Sequence, residues 1–98
     1  MQMTAESKTT EEFAGQVVSD VAASFSGIMT NIGHKLGLYK GLKGAGPISS
    51  EELAQKTGLH ERYVREWLNN QAAGSYVLYH QDQGHYELPD AYVPVLAD

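Results

Sequence analysis

Four histidines, a closely spaced tyrosine and tryptophan, and a pair of arginines are the side chains here best suited to chemistry, and no cysteine accompanies them. The lack of cysteine removes disulfides, thiolate nucleophiles and thiolate metal sites together. His80 and His85 flank a turn and would approach each other across a hairpin. A zinc site needs further ligands at suitable spacing, and neither an HExxH pair nor a third partner is present. These two are therefore expected to be solvent-facing residues at strand ends. No GxSxG elbow occurs, and no serine has an evident histidine and acid to activate it. Gly41, Gly44 and Gly46 look like a glycine-rich loop, but no strand precedes them, so they are expected to punctuate a turn and not to cradle a phosphate. Catalytic, cofactor-binding and metal-ligating residues are accordingly expected to be none in this chain.

Tyr63 and Trp67 lie one helical turn apart, which suits either the wall of an apolar pocket or simple core packing. Arg62, Arg65, Asn69 and Asn70 carry the side chains that read base edges when a recognition helix enters the major groove. Electrostatics argue against that use. From Ser49 to Gly74, Lys56, Arg62 and Arg65 face Glu51, Glu52, Glu61 and Glu66, and the hairpin turn from Gln81 to His85 has no Lys or Arg. The whole chain carries seven basic and twelve acidic residues, a formal charge of −5. Binding to nucleic acid rests largely on cations neutralising phosphates, so nucleic acid is not the expected partner, and a DNA-binding regulator is the alternative reading.

These side chains are positioned by elements legible in the hydrophobic periodicity. The 98 residues suffice for one domain, with 42% hydrophobic residues clustered rather than sparse. Residues 1–10 are polar and read as a disordered tail, with the domain proper at 11–98. Thr9 or Thr10 ahead of Glu11 and Glu12 marks a helix start. Phe13, Val17, Val21, Phe25, Ile28 and Ile32 then recur at steps of three and four, a helical stripe about six turns long. So long an apolar helix is hard to cover within so small a domain. Val17, Val21, Phe25 and Ile28 are therefore expected to form a dimer interface. A second helical stretch is predicted from about Asn31 to Leu42, with a kink or break near Gly33.

Ser49 followed by Glu52 spells a capping box, with Ile48 and Leu53 placed as a hydrophobic staple. That helix should end at Gly58, and another should begin at Glu61 with Tyr63, Val64, Trp67 and Leu68 facing inward. After Gly74 the period changes to two, with Val77–His80 and Tyr86–Leu88 around the turn Gln81–Gly84. The expected fold is mainly α with a small β-hairpin: a helix-turn-helix plus wing, preceded by a long N-terminal helix. No apolar run approaches the ~20 residues needed to span a membrane, and Met1–Thr10 lacks the layout of a secretory signal, so the expected location is the cytoplasm.

The stretches IGHKLGLYKGL, GPISSEELAQKTGLHERYVREWLNNQAAGSYVLY and GHYELPDAYVPVLAD resemble the N-terminal winged-helix domain of bacterial class I S-adenosylmethionine-dependent methyltransferases. The block Glu61–Leu68 is the most specific part, supported by Gln71-Ala72-Ala73 and Leu96-Ala97-Asp98. The resemblance implies a domain that dimerises and covers the substrate side of a C-terminal catalytic domain. That catalytic domain would bind S-adenosylmethionine; its strand and glycine-rich loop do not occur in these residues. On this resemblance His34 and Trp67 would face the substrate cleft between the domains, together with Tyr63. Arg65 would pair with an acid across an interface.

Overall fold

A computed structural model describes residues 6–98. Half of the expected polar tail, residues 1–5, lies outside the described residues. The long helix α1 runs from Thr10 to Lys35. Thr9 caps it: its side chain accepts from the Glu12 N–H at 3.2 Å, and the Glu12 carboxylate accepts from the Thr9 N–H at 2.9 Å. Satisfying two orphan donors this way lets an exposed helix start cleanly.

The expected break near Gly33 is not there. α1 continues through Gly33 to Lys35, and the chain turns at Gly37, which holds φ 75° before the short helix α2 at Leu38–Leu42. The predicted helix from Asn31 is thus the end of α1 followed by α2. Gly33 is buried for a packing reason: a Cβ there would lie 2.3 Å from Trp67 Cζ2. Glycine lets the α1 backbone approach the indole directly.

Helix α3 spans Ser50–Thr57 and α4 spans Glu61–Ala73. The Ser49–Glu52 capping box is formed in both directions at 3.1 Å. Gly58, at φ 71°, ends α3 in the left-handed conformation that glycine adopts without steric cost. His60 then caps α4, its Nδ1 accepting from the Arg62 N–H at 3.3 Å. The buried stripe of α4 is Val64, Trp67, Leu68 and Gln71, at the i, i+3, i+4, i+7 spacing of one helical face.

Strands β1, Leu78–His80, and β2, His85–Glu87, pair antiparallel with Leu78 opposite Glu87, Tyr79 opposite Tyr86 and His80 opposite His85. A third piece joins them. Ile48 pairs with Tyr86, its N–H donating at 2.9 Å and its carbonyl accepting at 2.7 Å, and so ties the start of the helix-turn-helix to the wing. Ile48 is buried together with Leu53, as the staple requires, but this strand-like role was not foreseen. After β2 a 3₁₀ turn at Asp90–Tyr92 leads into the short helix α5, Val93–Leu96. The core forms where α2, α3, α4 and the wing meet, around Tyr39, Leu42, Leu53, Leu68 and Val77. The result is a winged helix-turn-helix with a long helix in front, elongated to 54 × 28 × 22 Å.

Candidate functional site

The C-terminal third of α1 is anchored to α4. Gly33 rests on Trp67, whose Nε1 donates to the Met29 carbonyl at 2.8 Å. Tyr39 meets the same indole edge-on at 5.0 Å between ring centroids. Burial pushes the Tyr39 phenol above its ordinary value. Its hydroxyl donates to the buried Gln71 Oε1. This aromatic–amide knot fixes the angle at which α1 leaves the domain. A side chain at Gly33 would destroy it.

From its first turn to Phe25 nearly every α1 residue is exposed. The apolar stripe is therefore left uncovered: Phe13 58%, Val17 43%, Val21 63%, Phe25 52%, Ile28 58% and Ile32 38% exposed. Exposed apolar side chains are ordinary when scattered; a continuous row of this length marks a contact surface. Two grooves run along the flank of this row. The first, about 560 Å³, lies between α1 and the end of α4, with Val17, Val21, Phe25, Asn70 and Gly74 among its walls. Asn70 Oδ1 is buried there without a donor. The second, about 280 Å³, lies between the end of α1 and the start of α4, walled by Met29, Ile32, Leu36, His60, Tyr63 and Trp67.

Tyr63 was expected to face inward with Trp67 and does not: it is 70% exposed. It stands at the edge of the buried α4 stripe, in the helix's first turn, where His60 packs against its ring at 5.3 Å between centroids. Trp67 is core on one side and groove wall on the other, so the two alternatives for this pair resolve differently for each residue. His34 opens on a different depression, beside Thr30, Asn31 and Tyr39, so the structure does not bring it to the Tyr63–Trp67 groove. Arg65 is exposed and lies 3.8 Å from Glu61, on its own helix. Arg62 is likewise 3.6 Å from Glu66.

His80 Nε2 lies 2.8 Å from Glu87 Oε1, on the hairpin face that also carries His85. Among the described residues no group of three or more His, Asp or Glu side chains is arranged to hold a metal ion. The described strands are those of the wing, and none leads through a glycine-rich loop into a helix. No described helix is long and apolar enough to cross a membrane. The roles missed in the sequence are those of Gly33, which lets α1 approach Trp67, and Gln71, which accepts from Tyr39 of α2. The available signal was a glycine retained within an otherwise helical pattern.

Solved structures share this architecture. The chain superposes on LepI in complex with SAM with a TM-score of 0.70 at 24% identity, over 92% of this chain and 22% of that one. Against the mitomycin 7-O-methyltransferase MmcR the TM-score is 0.73 at 21% identity, over 90% and 26% respectively. Against a pericyclic reaction enzyme it is 0.67 at 26% identity, over 91% and 23%. The chain thus spans about a quarter of the length of these structures. No curated protein matches it in sequence. A family model, the Rv2258c-like winged HTH domain, matches residues 24–97, three-quarters of the chain, so this protein belongs to that family.

Proposed function

We propose that this domain is a non-catalytic dimerisation and active-site-covering element of an S-adenosylmethionine-dependent methyltransferase. The observation that carries the reading is the apolar row of α1, which leaves the domain with no covering of its own. Hydrophobic association is the ordinary fate of such a surface, and for a single kind of chain a two-fold pair is the commonest solution. The enzymatic setting is supported by the shared fold with a SAM-bound protein and with a 7-O-methyltransferase, each about four times longer. In this reading S-adenosylmethionine is held by a partner catalytic domain. His34 faces the substrate side and Arg65 the interdomain boundary, while Tyr63 and Trp67 line a separate groove.

The same geometry disfavours the DNA-binding alternative. The outward arginines of α4 lie beside glutamates of the same helix, so little unopposed positive charge is offered to a phosphate backbone. The test is the solution mass of the 98-residue chain by light scattering across a concentration series. A dimer that persists on dilution supports the reading; a monomer at every concentration removes its dimerisation half.

A further inference from the structure

We infer that the α1 helices of two copies pack antiparallel, and that Phe13 of each copy fills the Tyr63–Trp67 groove of the other. This rests on the dimer reading above and adds its orientation and what closes the second groove.

The apolar row is nearly symmetric about its own midpoint. Phe13, Val17, Val21, Phe25, Ile28 and Ile32 step by four residues except once, between Phe25 and Ile28. Reversed and laid on itself about a point between residues 22 and 23, the row sets Phe13 against Ile32, Val17 against Ile28, and Val21 beside Phe25. A two-fold contact needs this self-complementarity, because each residue must meet its counterpart twice. A parallel pair would instead stack Phe13 on Phe13 and leave both grooves facing the same end.

Charge favours the same choice. The first turn of α1 is acidic, with Glu11 and Glu12, and its last turn is basic, with His34 and Lys35. Antiparallel packing sets acidic turns at the level of basic ones and opposes the helix dipoles; parallel packing gathers like charges at each end.

The groove follows from the register. Opposite Ile32, a partner's Phe13 stands at the mouth of the cleft bounded by Ile32, Leu36, His60, Tyr63 and Trp67. The cleft floor is apolar, Trp67 and Val64 being buried, and its rim is the exposed Tyr63 ring. A phenyl ring suits a volume of about 280 Å³ with apolar walls. The groove is therefore incomplete in a single chain.

The absence of native cysteine makes the test direct. Val17→Cys, Ile28→Cys, Phe13→Cys and Tyr63→Cys each change an exposed side chain. Each variant is oxidised mildly, alone and mixed with its counterpart after subunit exchange, and run on a non-reducing gel. In the antiparallel pair, positions 17 and 28 meet. Two copies of position 17 are about 16 Å apart along the helix at 1.5 Å per residue, beyond the ~7 Å Cα reach of a disulfide. The expected result is a dimer band for mixed Val17→Cys with Ile28→Cys, and for mixed Phe13→Cys with Tyr63→Cys, absent from each variant alone. A dimer by light scattering whose Val17→Cys variant links to itself overturns the antiparallel orientation while leaving the dimer reading intact. Linkage of 17 to 28 without linkage of 13 to 63 overturns the filled groove. A monomer by light scattering overturns both readings.

Discussion

Gly33 is the residue on which the α1–α4 junction turns. Helix propensity alone says that Gly33→Ala should stabilise α1 by roughly 1 kcal/mol. The geometry reverses the sign, because the new methyl would stand 2.3 Å from the Trp67 ring and 2.9 Å from Tyr39 Cε2. Both rings are buried and held by hydrogen bonds, so neither can swing aside cheaply. The expected outcome is net destabilisation of about 1–3 kcal/mol, the usual cost of overpacking a well-filled core. Urea unfolding followed by Trp67 fluorescence measures it; a stabilised variant would mean that the contact relaxes freely.

At the scale of elements, the capping boxes decide where helices begin. Ser49→Ala removes the acceptor for the Glu52 N–H and is expected to cost about 0.5–2 kcal/mol. The Glu52 carboxyl lies below its ordinary value of 4.5, first because the Ser49 backbone N–H donates to it and then because the Ser49 hydroxyl interacts with it. Glu12 is lowered in the same way by Thr9. A depressed folded-state pKa means stability that is fully present above the unfolded value and lost as pH falls through the folded one. Mild acid, below about pH 4.5, should therefore loosen both helix starts. In Glu52→Gln, which keeps an acceptor without a titrating proton, the fall in Tm over that acid range should be shallower than in the parent chain. An identical slope would show that the box contributes nothing to the acid limb.

At the scale of the whole molecule, the exposed row on α1 and the acid-neutralised α4 make opposite statements about partners. Val21→Asp places a charge in the centre of the row while touching no core residue, Val21 being 63% exposed. It should leave the far-UV circular dichroism unchanged and convert the proposed dimer into a monomer in sedimentation; an unchanged oligomer would exclude the row as the interface. Titration with duplex DNA should show weak binding even at low salt. Tight binding that collapses as salt rises would restore the regulator reading, since that slope counts the phosphates neutralised.

Much of this molecule was legible in one dimension. The Ser49–Glu52 box, Gly58, the inward stripe Val64–Trp67–Leu68 and the change of period after Gly74 are local signals, set by backbone donors and by the repeat of helix and strand. They determined the winged helix, while the cap at Thr9 and the stripe from Phe13 to Ile32 determined the long helix ahead of it. The break wrongly placed at Gly33, the exposure of Tyr63 and the bridge from Ile48 to Tyr86 were not legible. Each depends on what another element does or does not bring to the same place: an indole against a glycine, an exposed edge position for a tyrosine, an edge strand beside a loop. Periodicity identified which face of α1 is apolar. Only the packing of Trp67 on Gly33 decided how much of that face its own domain covers, and therefore how much is left for a partner.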